Sequence, residues 1–154
     1  MLTLQQLINL TKATYNRVHK PARMLKRSQN PIIRVYKDNT PAGKKFRAVY
    51  IRTSLYNKDA SGASYTLIIR NYGTKKDPKD FTFKPESQLW VHCSCPYFKF
   101  YLEVVLHLYG SSSIYDSNGD MPVIKNPTYK PYLCKHLYAT LLHLVHQDSL
   151  KGRK

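Results

Sequence analysis

The sequence predicts an α+β fold in which a small antiparallel sheet accompanies an N-terminal and a C-terminal helix. Two patterns predict this class. Apolar residues recur at spacings of three and four near both ends, and runs rich in β-branched and aromatic residues fill the middle. The chain has 154 residues, the length of one typical domain, and 42% of them are hydrophobic. That content supports a sizeable core and excludes an intrinsically disordered chain.

The first element is an amphipathic helix predicted over residues 3–19. Thr3 and Gln6 form a capping-box pattern, in which each side chain can accept a hydrogen bond from the backbone N–H of the other. Pro21 follows the helix, and the polar, basic segment 20–31 predicts a loop. The apolar face of the helix carries residues at helical spacing, namely Leu4, Leu7, Ile8, Thr11, Tyr15 and Val18.

Four strand-like runs follow the loop, with turn residues between them. The runs cover residues 32–36, 46–56, 65–72 and 89–92. A second helix is predicted over residues 97–109, with Gly110 as its stop, and a loop is predicted over 111–133. The last predicted helix covers about 135–147.

The chain is strongly basic, with 25 Lys and Arg residues against 9 Asp and Glu and a formal net charge of +16. Much of the excess lies in residues 17–52, where eleven basic residues accompany one acidic residue. A charge this high repels itself unless an anionic partner neutralises it, and nucleic acid is the commonest such partner. A solvated basic face is the alternative. We expect phosphate contacts from five residues of this segment, namely Arg34, Lys44, Lys45, Arg47 and Arg52.

All three cysteines fall into two short pairs that also include a histidine. Cys93 and Cys95 are one residue apart, and so are Cys134 and His136. Three sulfurs and one nitrogen form a complete tetrahedral shell for a structural Zn²⁺ ion, without the open position that a catalytic zinc keeps for water. An odd number of cysteines argues against a disulfide framework. Three buried inert thiols and a surface histidine are the alternative interpretation.

The spacing C-x-C followed by C-x-H ahead of a helix resembles the SWIM zinc finger. The resemblance rests on Cys93, Cys95, Cys134 and His136, and it covers residues 88–147. SWIM modules are small ββα zinc folds that bind DNA or protein. The resemblance therefore implies a zinc-stapled ββα-like module in the C-terminal half, with Zn²⁺ as its cofactor and nucleic acid or protein as its partner.

The segment between the two ligand pairs, residues 96–133, is long for a SWIM module, so we interpret it as an insertion. On this basis the chain divides into a basic N-terminal α/β region at 1–87, the SWIM-like module at 88–147 and a basic tail at 148–154. The insertion is rich in Tyr, Ser and Pro, and its sequence resembles SWIM-containing proteins of tailed bacteriophages. This second resemblance implies a component of the virion.

Two functions compete on this basis. The first is a non-enzymatic binding or structural protein of a virion, whose basic surface contacts acidic protein subunits or DNA. The alternative is a free DNA- or RNA-binding SWIM protein that assists transposition, recombination or transcription. An enzyme is a third possibility, for which Glu103 and Asp80 are the first residues to test, but the acidic residues are scattered and form no clustered pair.

The sequence also indicates the location and the partners of the chain. No apolar run is long enough to cross a membrane and no secretory signal is found, so we expect a location in the virion or the host cytoplasm and no membrane or small-molecule partner.

Residues 116–120 alternate oxygen-bearing side chains as a calcium loop does, but they lack its later Gly and Glu, so a hairpin turn fits better. His143 and His146 are expected on a helix surface.

Overall fold

A computed structural model describes residues 1–14, 32–37, 45–53, 65–114, 119 and 129–151 of the chain. The four strands form one antiparallel sheet in the order β1-β2-β3-β4. The predicted α+β class is confirmed, with its small antiparallel sheet and a helix near each end. In chain order the elements are α1 (Leu4–Thr14), β1 (Ile32–Lys37), β2 (Lys45–Thr53), β3 (Tyr65–Asn71), β4 (Leu89–Cys93), a π-helical turn (Phe98–Leu102), α2 (Glu103–Leu108) and α3 (Lys135–Lys151).

Helix α1 begins at the capping box that the sequence predicts. The backbone N–H of Thr3 donates to Oε1 of Gln6 at 2.9 Å, and the backbone N–H of Gln6 donates to Oγ1 of Thr3 at 3.2 Å. The predicted continuation of the helix over residues 15–19 lies outside the described residues. Within the described helix, the face predicted to be apolar is the buried one, at Leu4, Leu7, Ile8 and Thr11.

The sheet has an inner and an outer face, because successive side chains of a strand point to opposite sides. The centre of the inner face is fully buried and carries Val49, Leu67, Ile69, Leu89, Val91 and Cys93. The outer face mixes aromatic, basic, polar and apolar residues, and its described members include Phe46, Ala48, Tyr50, Thr66, Ile68, Arg70, Trp90 and His92.

One hydrophobic core joins helix α1, the inner face and helix α3. Leu7 of α1, Leu67 of β3 and Leu137 of α3 have no exposed surface. The core therefore contains residues from both sides of the predicted boundary between 87 and 88, while that division into domains stays a prediction. None of the helices in the described part of the chain combines the length and the apolar character that crossing a bilayer requires.

Two other segments of the chain cover the edge of strand β4 that faces away from β3. The backbone N–H of Val91 donates to the carbonyl oxygen of Ser111 at 2.8 Å, and that of Leu89 donates to the carbonyl oxygen of Leu2 at 3.1 Å. A bare sheet edge is a template for pairing with another chain, and these bonds remove that possibility along β4. They also hold the N-terminus and the segment after α2 beside the strand that ends at Cys93.

The second helix differs from its prediction. The sequence predicts a regular helix over 97–109, whereas Phe98–Leu102 is π-helical and only Glu103–Leu108 is α-helical. Gly110 ends the segment with a φ of 75°, as predicted for a glycine stop. Single π-helical turns are frequent beside functional sites, and this one begins at Phe98, shortly after the second cysteine, Cys95. Helix α3 extends beyond its predicted end.

Candidate metal centre

Four side chains from the two ligand pairs meet in the core. The ligand atoms of Cys93, Cys95, Cys134 and His136 all lie within 4.8 Å of one another, and all four residues are buried. The three cysteines are free thiols. Sulfurs bound to a tetrahedral Zn²⁺ at about 2.3 Å lie about 3.8 Å apart, so a small contraction of this cluster would surround an ion. The prediction that these four residues come together is confirmed, and below they are called the ligand cluster.

Cys93 enters the ligand cluster from the end of strand β4. It lies opposite Leu67 in the sheet, on the inner face, and it has no exposed surface. Ser94, between Cys93 and Cys95, is held by two hydrogen bonds to Thr66. Its backbone N–H donates to the carbonyl oxygen of Thr66 at 3.1 Å, and its Oγ accepts from the backbone N–H of Thr66 at 2.9 Å. His92 lies opposite Ile68 on the outer face, as strand alternation predicts, and so it is not part of the cluster.

Cys95 stands at the start of the helical segment that begins at Pro96. A proline fits the first helical position because the N–H that it lacks would have no partner there. The Cys95 sulfur accepts a hydrogen bond from the backbone N–H of Phe98 at 3.3 Å, and its carbonyl oxygen accepts one from the N–H of Lys99 at 3.2 Å. The cysteine thus caps the helix, and the helix start fixes the direction of the sulfur.

The thiols of the ligand cluster have divergent pKa values. Hydrogen bonds from Cys134 and then Cys93 lower the pKa of Cys95 far below its usual range, with further bonds from His136 and from the Phe98 N–H. Burial raises the pKa of Cys93 and of Cys134. Only thiolates coordinate a metal ion, so an ion bound here would displace the protons of the thiols.

Cys134 and His136 are supplied by the start of helix α3. The carbonyl oxygen of Cys134 accepts the backbone N–H of Tyr138 at 2.9 Å, which places the cysteine at the first turn of the helix. Helix α1 holds the residue before it. The backbone N–H of Leu133 donates to Oγ1 of Thr11 at 3.0 Å in a buried bond, and that hydroxyl donates to the carbonyl oxygen of Leu7 at 2.6 Å.

Helical spacing predicts Thr11 on the apolar face of α1, but it does not predict this contact with the residue before Cys134. The signal was present, since a threonine on an apolar helix face must find a partner for its hydroxyl. The identity of that partner could not be read from the sequence, because Thr11 and Leu133 are far apart along the chain.

The imidazole of His136 is buried beside the sulfurs. The residue is 4% exposed, and its ring meets the ring of Tyr65 edge to face, with 4.8 Å between centroids. Its Nδ1 is buried and has no hydrogen-bond partner within the described part of the chain. A buried polar nitrogen without a partner destabilises a fold, and coordination of a cation through this atom would remove that penalty. The ring is thus suited to complete a metal shell.

The donor set of the ligand cluster matches the preferences of one class of metal ion. Thiolate and imidazole ligands suit borderline-soft ions such as Zn²⁺, whereas Ca²⁺ and Mg²⁺ require oxygen ligands. In the described ranges, no other group of three or more histidine, cysteine and acidic residues is placed to hold an ion. The cluster is therefore a plausible metal site, and four protein ligands would close its shell.

Four of the five predicted phosphate contacts lie on described strands, at positions that belong to both faces of the sheet. Alternation along β1 and β2 places Arg34 and Arg52 in the rows of the outer face, and Lys45 and Arg47 in those of the inner face. Lys44 lies outside the described residues. Lys45 is exposed, while Arg47 is half-buried and its Nη1 donates to the carbonyl oxygen of Phe81 at 3.4 Å. Their role in phosphate binding stays a prediction.

The structure also describes four residues that the sequence marks as weaker candidates for a site. His143 and His146 are exposed on α3, as predicted. Glu103 is fully buried at the start of α2, and Asp80 forms an ion pair with Lys84. The segment interpreted as a hairpin turn rather than a calcium loop lies outside the described residues, apart from Gly119.

The chain matches no protein-family model, and neither a curated protein nor a solved structure is detectably similar to it. The interpretation of the ligand cluster therefore depends on the chemistry and the positions of its own residues.

Proposed function

We propose that this chain is a non-enzymatic binding protein that folds around a structural Zn²⁺ ion and binds nucleic acid through its basic surface. The observation that carries the proposal is the buried cluster of three thiols and one imidazole. Four protein ligands fill a tetrahedral shell, so an ion held there has no position for a reacting water. Zinc at this site would therefore support the fold and would not act as a catalyst.

The position of the ligand cluster explains what the ion would stabilise. Its residues come from the end of β4, from the loop that follows and from the start of α3, and the bond between Thr11 and Leu133 adds α1. Structural zinc contributes about 10–16 kcal/mol in zinc-finger peptides near neutral pH, and a whole domain is stable by only about 5–15 kcal/mol. Zinc binding would therefore determine whether the sheet and the last helix stay together.

The charge of the chain supports nucleic acid as the partner. The formal net charge is +16, because 25 Lys and Arg residues are set against 9 Asp and Glu. Lysine and arginine side chains gain binding free energy on phosphates by releasing condensed counterions. The resemblance of the ligand spacing to SWIM modules, some of which bind DNA, supports the same class of partner.

Two measurements test the proposal. Metal analysis of freshly purified chain should find one zinc ion per chain. Fluorescence anisotropy with labelled single- and double-stranded DNA should show binding at low salt that weakens steeply as salt is added. Polyglutamate serves as the control polyanion, because nucleic acid should bind more tightly than this acidic polymer. Absence of zinc would contradict the metal assignment, and absence of DNA binding at low salt would contradict the nucleic-acid assignment.

A second candidate function is a structural component of a tailed-phage virion, docked on acidic subunits. The insertion that resembles phage proteins exposes several large apolar side chains, and exposed apolar surface is typical of protein interfaces. Mass spectrometry of purified virions after nuclease treatment and a high-salt wash tests this candidate. Retention of the chain would support it, and absence from the particles would exclude it. The exposed side chains are Phe100, Leu108, Tyr109 and Ile114.

A further inference from the structure

Arg70 lies at the centre of the outer face with its guanidinium group between two aromatic rings. Its Cζ is 4.1 Å from the centroid of the Trp90 ring and 5.3 Å from that of the Phe46 ring. Both rings are buried, and Phe46 also packs against Tyr72 with 5.1 Å between centroids. Aromatic faces attract a guanidinium and restrict its plane, so this cation is held in place before any ligand arrives.

The side chain of Arg70 has no acceptor within the described part of the chain. There its buried Nε lacks a hydrogen-bond partner, and the side chain forms no ion pair. Arginine stays charged at all physiological pH values and carries five N–H donors. The residue keeps part of its solvent exposure. A cation that is fixed in orientation, partly exposed and without an acceptor is suited to bind an external anion.

The register places a second arginine in the same row. Arg34, Ala48, Arg70 and Trp90 lie opposite one another across the four strands. Because neighbouring strands are about 4.8 Å apart, the Cα atoms of the two arginines are about 10 Å apart, with the small Ala48 between them. Two cationic positions in one row of a sheet suit a ligand that carries more than one negative charge.

Aromatic side chains flank this row. Tyr50 follows Ala48 by two positions on the same face and is half-buried, and Tyr72 is half-buried beside Phe46. In several single-strand-binding modules, a sheet presents aromatic and basic side chains together, so that unpaired bases stack on the rings while the cations contact the phosphates. A duplex offers no unstacked base to such a surface.

We infer that the outer face is the nucleic-acid-binding surface, that its ligand is single-stranded, and that Arg70 binds a backbone phosphate there. This inference rests on the proposed function, since it names the surface and the ligand class through which the chain would bind nucleic acid. It also adds a residue outside the basic segment 17–52, to which the five contacts predicted from the sequence are confined.

The chain contains a built-in reporter for this site, because Trp90 is its single tryptophan. The experiment titrates zinc-loaded chain with a short oligothymidylate and follows both tryptophan emission and anisotropy of the labelled oligonucleotide. For the native chain we expect a saturable change in emission that coincides with the anisotropy change. For Arg70→Gln we expect affinity to fall about tenfold to a hundredfold and the slope of log affinity against log salt to shrink by about 0.7.

Two further variants distinguish the effect of the position of Arg70 on affinity from the effect of its charge. Lys84→Gln removes the same charge from a residue already paired with Asp80, so it should change affinity less than about twofold. Arg70→Lys keeps the charge but loses the planar group, so the salt slope should be retained while affinity falls. Equal losses in Arg70→Gln and Lys84→Gln would show a general charge effect and would overturn the assignment to Arg70.

The remaining outcomes distinguish this inference from the proposed function. If the native chain binds no DNA, the proposed function fails and the inference fails with it. If the native chain binds but Arg70→Gln binds equally well, only the inference is overturned. Should Arg70→Gln fail to fold, the native chain alone decides, because binding seen by anisotropy without any change in Trp90 emission contradicts a ligand at this face. Tighter binding to duplex than to oligothymidylate overturns the single-strand assignment.

Discussion

The ligand cluster and the outer face lie on opposite sides of the same sheet, and their polar groups have different surroundings. Cys93 and His92 are neighbours on β4, yet one belongs to the cluster and the other to the outer face. In the cluster the polar groups are buried against one another, with all ligand atoms within 4.8 Å. On the outer face the guanidinium of Arg70 contacts aromatic rings, and its Nε has no acceptor among the described residues. On the proposed function, one face of the sheet determines stability and the other binds nucleic acid.

The largest expected effect is the loss of a cluster ligand. Cys134→Ala removes a fully buried thiol at the first turn of α3, and the remaining three ligands cannot close a zinc shell. We expect loss of bound zinc and of a cooperative unfolding transition, because zinc binding at such sites contributes as much free energy as the whole fold. Circular dichroism on heating, together with metal analysis, measures both.

The matched control for this loss is His136→Cys. That variant replaces one accepted zinc ligand by another and produces a four-cysteine shell, so it should retain zinc and a cooperative transition. A Cys134→Ala variant that melts like the native chain would show that the cluster is a group of inert buried thiols.

The second effect concerns the hydrogen bond between Thr11 of α1 and Leu133, the residue before Cys134. Thr11→Val keeps the shape of the side chain but leaves the buried N–H of Leu133 without its acceptor. We expect the free energy of unfolding to fall by about 1–3 kcal/mol, with weaker zinc retention against a chelator. Thr14→Val is the control, since within the described residues the Thr14 hydroxyl donates to the carbonyl oxygen of Leu10 in its own helix and to no other element. Urea denaturation of both variants compares them, and equal losses would contradict a special role for Thr11.

A smaller effect on stability is expected on the outer face. Arg70→Gln loses the contacts with the Trp90 and Phe46 rings, which are worth about 0.5–2 kcal/mol. We expect the free energy of unfolding to fall by no more than this, with zinc content unchanged, while DNA affinity falls as described above. Loss of zinc in this variant would break the separation between the two faces.

The smallest expected effect is at the exposed ion pair. Hydrogen bonds from Lys84 and then Thr82 lower the pKa of Asp80 from 3.8 to about 2. Because the folded-state pKa is depressed, the carboxylate adds stability above the unfolded-state pKa near 3.8, and this is lost as the pH falls through about 2. Asp80→Asn should therefore cost less than about 1 kcal/mol at pH 7, since solvent screens the pair. Urea denaturation at low and high salt measures this, and a difference that does not shrink in high salt would contradict an electrostatic origin.

The sequence predicts those elements whose signals are local. The capping box of Thr3 and Gln6, the four strands and the stop at Gly110 each depend on a few neighbouring residues, and all are present. The ligand cluster could also be predicted, because every cysteine belongs to one of two pairs with metal-binding spacing and only a common site uses all of them.

Features that depend on distant contacts could not be predicted. The bond between Thr11 and Leu133 joins residues at opposite ends of the chain. The place of Arg70 between two rings depends on the registers of β2, β3 and β4, which a strand pattern does not specify. The π-helical turn after Cys95 likewise lacks a sequence signal, since its residues fit a regular helix equally well.

The central claim is that a structural zinc ion joins the two ligand pairs. X-ray absorption spectroscopy at the zinc edge of the purified chain tests it most directly. We predict one zinc ion per chain with three sulfur ligands at about 2.3 Å and one nitrogen ligand at about 2.0–2.1 Å. A chain that contains no zinc, or a shell made mainly of oxygen ligands, would contradict the claim.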